Sequence, residues 1–289
     1  MVAQRSVSWE AERPASEEAS YVADVALGLI KEHAGEGHLV AAGVSLAALV
    51  DAEGAVVKWP NRPAWRGLPV RSILEARLAV PVVIEDDANA AALAEATLGA
   101  GRDFRDVLVL MVGTGVGAGL ILDGRLHRGR NGWAGELGHV VMQPGGPDCS
   151  CGKRGCLQVL SSGRALDHLA RARGLDGAAQ LAEAAERGEL WAREALAASG
   201  RWLGLAAANV IDLLDLDAVV VGGGLSGLGA PWWSTLEETL RSNVLNAEHR
   251  QIALRRAEMP DAAGLLGAVI RARQVTEHQT HASTARHNQ

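Results

Sequence analysis

The chain has 289 residues, 48% of them hydrophobic and 21% charged, which is the composition of a globular protein long enough for two lobes. A formal net charge of −6 argues against general affinity for nucleic acid or anionic membranes. No apolar run reaches the roughly 18 residues of a membrane span and the start lacks a signal-peptide core, so we expect a cytoplasmic protein.

Residues 1–103 are predicted to form a first lobe of alternating strands and helices. Strands are predicted at residues 2–9, 38–44, 55–58 and 82–84, an amphipathic helix at residues 17–32, and further helices at residues 70–78 and 88–98. Two prolines make residues 60–66 a loop that could line a cleft, and its Asn61 is a candidate substrate-binding residue. The glycine-rich segment 99–103 is the best candidate for the boundary between the lobes.

Residues 104–273 are predicted to form the second lobe, which opens with a glycine-rich hairpin. Strands at 105–112 and 120–122 flank Gly-Thr-Gly-Val-Gly at 113–117. Further strands are predicted at 218–221 and 252–256, and helices at 162–214 (broken near 174–177 and 188), 232–245 and 262–273. Residues 274–289 have almost nothing to bury, so we expect a disordered tail.

All three cysteines lie close together, at Cys149, Cys151 and Cys156, with His139 ten residues before the first. Three thiolates and one imidazole are the ligand set of a closed tetrahedral zinc site. The alternatives are a disulfide or three unconnected thiols. Cys149 and Cys151 are too close to pair comfortably, and an odd count leaves one thiol over. The cluster therefore predicts a structural zinc ion.

A second motif precedes the cysteines. Gly135-Glu136-Leu137-Gly138-His139, followed by Cys-x-Cys-Gly-x-x-Gly-Cys, resembles the signature of the ROK family of sugar kinases, related open reading frames and sugar-responsive repressors. The similarity implies an α/β, actin/hexokinase-like (ribonuclease H-like) two-lobe ATPase fold. It also implies that Glu136 and His139 contact sugar hydroxyls, while zinc fixes the imidazole of His139.

The acidic run Glu85-Asp86-Asp87 stands where a predicted buried strand meets a helix, which is where open α/β sheets place ligand groups. Taken alone, it is better explained by an acidic helix cap than by catalysis. The matching family motif is Glu-Asn-Asp-x-Asn, whose aspartate is the catalytic base, and this implies the same role for Asp87.

Two glycine-rich segments suit a nucleotide. Bare N–H groups and a hydroxyl at the first segment can bind phosphates, and glycines after a buried strand let a flat adenosine approach the backbone. The resemblance places Mg²⁺-ATP on these segments, at Gly113, Thr114, Gly115 and Gly117, and at Gly222, Gly223 and Gly224.

The chain departs from the family pattern at several places. Asp86 replaces an asparagine that touches ring hydroxyls, Gln158 replaces a glutamate that also reaches the sugar, and residues 43–51 replace a usual Gly-x-Gly-x-Pro-Gly-Leu-Val-Asp. Asp86 and Gln158 remain candidate substrate contacts, and the three replacements favour a substrate other than unmodified glucose. An Asp-x-Gly-Gly-Thr phosphate loop is missing, so the first lobe looks N-terminally truncated and we expect the true start to lie upstream.

The resemblance implies ATP-dependent phosphorylation of the primary hydroxyl of a hexose or aminosugar. Because the carboxylate of Asp86 could bind an ammonium group, a 3-amino sugar such as kanosamine is the preferred substrate. An equal alternative is that Asp86 faces water or an arginine such as Arg62. The alternative is a sugar-binding protein without phosphoryl transfer, which the missing phosphate loop favours. Family repressors carry a basic helix-turn-helix domain before the first lobe and none is recognised here. We expect a homodimer without nucleic-acid or membrane partners.

Overall fold

The computed structural model describes residues 3–8, 13–33, 35, 37–60, 62–259 and 261–287, with side chains as far as residue 277. The helices are α1 Ala15–His33, α2 Val70–Leu78, α3 Asp87–Leu98, α4 Leu157–Leu160, α5 Gly163–Arg171, α6 Ala178–Glu186, α7 Leu190–Leu214, α8 Ala230–Asn243 and α9 Ala263–His287. The strands are β1 Ala42–Leu46, β2 Leu49–Val50, β3 Val56–Lys58, β4 Val82–Asp86, β5 Val107–Val112, β6 Val116–Leu122, β7 Arg125–Leu126, β8 Ala218–Gly222 and β9 Ala253–Arg256.

The first lobe is built on β1 and β4, which pair in parallel, and on the antiparallel hairpin of β2 and β3. Its core contains apolar side chains from α1, α2 and both pairs of strands. Buried Glu18 of α1 accepts hydrogen bonds from Arg62 Nη1 and Trp65 Nε1, each at 2.8 Å. This contact ties the loop around residue 62, which contains one 3-10 turn at Pro63–Trp65, to the lobe.

The second lobe is a five-stranded sheet in the order β7-β6-β5-β8-β9, in which β5 is parallel to β8 and antiparallel to β6. Strands β5 and β8 are buried along almost their whole length, as their continuous apolar sequences predict. Helices α7 and α8 cross closely over the main core. A Cβ at Gly200 or Gly204 would overlap the backbone of α8, so these glycines allow the close approach.

Helix α3 joins the two lobes and starts at the acidic motif. It packs on β5 and β6 on one side and on α9 on the other, and α9 also packs on β1 and β4. A Cβ at Gly267 would overlap the backbone of Ala90, so a glycine is needed at the crossing of α3 and α9. The buried carboxylate of Glu95 accepts N–H groups from Ala100, Glu258 and Met259 and thereby fixes the segments that follow α3 and precede α9.

Several sequence predictions need correction. Residues 3–8 form no strand, residues 2 and 9 lie outside the described residues, β1 begins at Ala42 and not at residue 38, and β6 begins at Val116 and not at residue 120. The predicted tail is also wrong for residues 274–287, because α9 continues to His287. Ion pairs such as Arg273 Nε with Glu277 Oε1 at 2.7 Å stabilise a helix without burial. The sequence predicts a tail only because these residues have little to bury.

None of the helices in the described part of the chain combines the length and the apolar character needed to cross a bilayer.

Candidate active site and metal centre

The acidic motif lies at the junction of β4 and α3, and Asp86 is the N-cap of the helix. Its Oδ1 accepts the N–H groups of Ala88 at 3.0 Å and Asn89 at 3.3 Å. The helix-cap interpretation is therefore correct for Asp86. The cap uses Oδ1, which leaves Oδ2 for another partner.

Asp87 is the first residue of α3, and its side chain is accessible to solvent although protein surrounds much of it. Desolvation raises the pKa of Asp87. Burial, and then the charges of Asp87 and Glu136, raise the pKa of Asp86 to about 7. Desolvation and then the charge of Asp87 also raise the pKa of Glu136, while Lys153 and Lys58 oppose the rise. The charge of Asp87 thus contributes to the raised pKa of both Asp86 and Glu136.

The glycines of the Gly-Glu-Leu-Gly-His motif explain how Glu136 comes to lie near α3. A Cβ at Gly135 would overlap the carbonyl oxygen of Ala118, and a Cβ at Gly138 would overlap that of Val116. Gly135 also has φ +95°, in the left-handed region that favours glycine. The motif's backbone thus lies directly on β6, next to the helix that carries Asp87.

His139 and the three cysteines form one cluster, in which four ligand atoms lie within 4.8 Å of one another. His139 Nδ1 lies 3.6 Å from Cys149 Sγ, and Cys151 Sγ lies 3.7 Å from Cys156 Sγ. A tetrahedral ion with sulfurs at about 2.3 Å and nitrogen at about 2.0 Å separates its ligands by about 3.6–3.8 Å. All three cysteines are free thiols, which excludes the disulfide alternative, and the donor set fits zinc.

The other nitrogen of His139 faces the carboxylate of Glu136. His139 Nε2 lies 4.0 Å from Glu136 Oε2, on the opposite side of the ring from the thiols. Gln158 Nε2 donates to Cys149 Sγ at 3.2 Å, so this amide contacts the cysteine cluster. Its contact with a sugar stays a prediction. Asn61, the remaining candidate for the sugar, lies outside the described residues.

The two glycine-rich segments divide into open and packed positions. A Cβ at Gly113 or Gly224 would meet nothing within 4 Å, so these backbones are accessible to a ligand. A Cβ at Gly117 would lie 2.8 Å from Ala88 Cβ, and one at Gly223 would lie 2.6 Å from Val112 O. Gly222 is similarly close to Ala257, and Thr114, next to Gly115, is exposed. Packing therefore explains Gly117, Gly222 and Gly223 without a nucleotide.

Sequence reasoning missed a buried ionic cluster beneath Asp86. Glu85 is 1% exposed, and its carboxylate lies 2.9 Å from Arg128 Nε and 3.3 Å from Arg271 Nε. Asn89 Nδ2 donates to the same carboxylate at 3.4 Å. The cluster connects β4, the segment after β7 and α9, which no local sequence pattern relates.

Comparison with known proteins matches the ROK family profile to residues 2–275. The chain belongs to the ROK family. It is 34% identical over 265 residues to a glucokinase of Streptomyces coelicolor, covering 84% of this chain and 83% of the relative. It is 36% identical over 230 residues to a kanosamine kinase of Amycolatopsis mediterranei, covering 78% of this chain and 74% of the relative. A Streptomyces griseus ROK glucokinase solved with glucose and AMPPNP superposes with a TM-score of 0.76 at 32% identity, over 91% of this chain and 89% of that one.

Membership of the ROK family confirms the actin/hexokinase-like fold predicted from the zinc-loop motif. The family resemblance implies an asparagine at the position of Asp86, and the geometry shows which atom that replacement would change. Oδ1 can cap α3 in either residue. The change therefore affects the second polar atom, which is an N–H donor in asparagine and an oxygen in aspartate.

Proposed function

We propose that this ROK protein is an ATP-dependent carbohydrate kinase that phosphorylates the primary hydroxyl of a hexose or aminosugar. The observation that carries this proposal is the position of Asp87, solvent-accessible at the start of α3 and electrostatically coupled to Glu136 of the other lobe. ROK relatives that are glucokinases and a kanosamine kinase support the enzyme class.

In the proposed reaction, Asp87 accepts the proton of the sugar hydroxyl while the hydroxyl oxygen forms a bond to the γ-phosphorus of ATP. The bond between that phosphorus and the β,γ-bridging oxygen breaks, and ADP leaves with the electron pair. A raised pKa makes Asp87 a stronger base than an ordinary carboxylate. Mg²⁺ bound with ATP would neutralise charge on the phosphates. The open backbones at Gly113 and Gly224 are the proposed contacts for the nucleotide.

The proposed metal is one structural zinc ion held by His139, Cys149, Cys151 and Cys156. The fit of the sulfur and nitrogen separations to a tetrahedral site supports it. With Nδ1 directed at the thiols, Nε2 is left on the side of Glu136, where both residues could bind sugar hydroxyls. The ion would fix one wall of the sugar pocket.

The proposed acceptor is a 3-amino sugar of the kanosamine type. Asp86 Oδ2 is an acceptor where the family's asparagine offers a donor, so the substrate has to supply a donor there. An ammonium group does so and also offsets the cost of a carboxylate in a desolvated cluster of three. The kanosamine kinase among the relatives is consistent with this choice. Arg62, a possible alternative partner for Asp86, is paired with Glu18.

The second candidate is a sugar-binding protein without phosphoryl transfer. ADP formation with glucose and with 3-amino-3-deoxyglucose, together with NMR location of the phosphate, distinguishes the two. The kinase proposal expects phosphate on the primary hydroxyl and a higher kcat/KM for the amino sugar. Calorimetric binding of both sugars without any ADP formation would favour the second candidate.

A further inference from the structure

A cavity of about 570 Å³ opens next to Asp86, between the two lobes. The first lobe contributes the turn at residues 48–53, and the second lobe contributes residues 128–133. The volume falls within the about 300–1,000 Å³ of small-molecule sites. Asp87, Glu136 and His139 do not line it, so it lies beyond Asp86 as seen from the proposed reaction centre.

The floor of this cavity is close to neutral. Glu85 lies there with its charge offset by Arg128 and Arg271, both within 3.3 Å. Asp51 of the opposite wall accepts the N–H of Ala55 at 2.8 Å through Oδ1. The cavity therefore offers polar groups held in fixed positions without the strong net charge that would select a simple ion.

The rim carries an aromatic ring at the gap between the lobes. Trp133 is 39% exposed, and its Nε1 donates to Val50 O of β2 at 3.0 Å, which fixes the ring orientation. The indole N–H is thus occupied, and the exposed part of the ring is left to pack against a ligand. Exposed Asn131 and Arg130 stand beside it as hydrogen-bonding groups. A fixed aromatic ring surrounded by amide, guanidinium and carboxylate groups suits the C–H face and the hydroxyls of a sugar ring.

We propose that this cavity is a second carbohydrate subsite and that the acceptor carries a further sugar ring on the edge that meets Asp86. The inference rests on the proposed function for the reaction itself. Asp86 is the shared wall, since it lines the cavity and interacts with Asp87 and Glu136. The family resemblance implies that the edge of the acceptor next to Asp86 bears C3 and C4. The second ring is therefore linked at C3 or C4 of the acceptor, and at C4 where C3 carries the amine that Asp86 binds.

The test compares glucose with glucose disaccharides whose reducing ring is extended at C4 or C3, namely cellobiose, maltose and laminaribiose. Sophorose, extended at C2, is the control. We expect at least one C3- or C4-linked disaccharide to exceed glucose and sophorose in kcat/KM by about threefold to tenfold, the worth of one aromatic packing contact. NMR should place the phosphate on the primary hydroxyl of the reducing ring.

Two variants connect this preference to the cavity. Trp133→Ala should remove the preference and change kcat/KM for glucose by less than about twofold, whereas Trp133→Phe, which keeps an aromatic ring, should retain most of it. Asn131→Trp, which fills the cavity from its rim, should abolish phosphorylation of the extended acceptors and leave that of glucose unchanged. The subsite is wrong if glucose is phosphorylated and no extended acceptor gains, or if a gain survives both Trp133→Ala and Asn131→Trp.

Calorimetry separates this inference from the proposed function. If no sugar is phosphorylated, the kinase proposal fails, and the subsite is then judged by binding alone. Tighter binding of an extended disaccharide than of glucose, lost in Asn131→Trp, supports the subsite. Equal binding of glucose and all disaccharides overturns it.

Discussion

The imidazole of His139 presents Nδ1 to the thiol of Cys149 at a distance of 3.6 Å. This arrangement leads to the first prediction, one zinc ion per chain, with Zn–S distances of roughly 2.3 Å and a Zn–N distance of roughly 2.0–2.1 Å. Elemental analysis and X-ray absorption spectroscopy of the purified protein measure both. Cys149→Ser should lose the metal and lower the melting temperature, whereas Ser150→Ala in the same loop should do neither. A Cys149→Ser variant that keeps its metal and its stability would contradict the site.

Asp86 is predicted to determine the preference for an amino sugar. Asp86→Asn keeps the oxygen that caps α3 but replaces the second oxygen with an N–H donor, as in the family pattern. Preference should therefore move toward glucose over 3-amino-3-deoxyglucose by roughly 1–3 kcal/mol, the worth of a hydrogen bond to a charged group. The ratio of kcat/KM for the two sugars measures the shift. An unchanged ratio would remove Asp86 from amine recognition.

The raised pKa of Asp86 predicts a pH-dependent cost to stability. Its carboxyl titrates near pH 7 in the folded protein and at its ordinary value of 3.8 when unfolded. Between these values the folded state binds more protons, so this group lowers the free energy of unfolding as the pH rises from about 4 to about 7. The free energy of unfolding of Asp86→Asn should thus exceed that of the parent protein by little at pH 4 and by on the order of 2–4 kcal/mol at pH 8.

Urea denaturation of both proteins at pH 4, 6 and 8 measures that difference. Exposed Asp176→Asn serves as the control for the loss of one surface carboxylate. A stability difference between Asp86→Asn and the parent protein that stays constant from pH 4 to pH 8 would refute the assignment of a raised pKa.

Glu95 is predicted to be a structural residue of the connection between the lobes. Its carboxylate is fully buried and accepts three backbone N–H groups, so Glu95→Gln turns an N–H₂ group toward donors. The cost should be about 1–3 kcal/mol of unfolding free energy. Exposed Glu186→Gln should cost less than about 0.5 kcal/mol. Equal denaturation midpoints for the two variants would show that Glu95 contributes nothing there.

The sequence predicted most local features because their causes are local. The apolar spacing of residues 70–78 matched α2, and the cysteine spacing identified a cluster that a short loop brings together. The pairing of Glu85 with Arg128 and Arg271 was not predictable, since these residues stand 43 and 186 positions apart. Gly117 looked like a phosphate ligand because the sequence cannot distinguish a glycine needed for packing from one needed by a ligand.

Transfer of labelled γ-phosphate from ATP to an amino sugar, in the parent protein and in Asp87→Asn, tests the account most directly. Because the amide that replaces the carboxylate could not accept the hydroxyl proton, kcat should fall by about 10²–10⁴-fold. Calorimetric affinity for the sugar should stay within about threefold, since the substitution keeps the size of the side chain. Asp176→Asn should match the parent in both measurements. Near-normal turnover by Asp87→Asn would contradict the account.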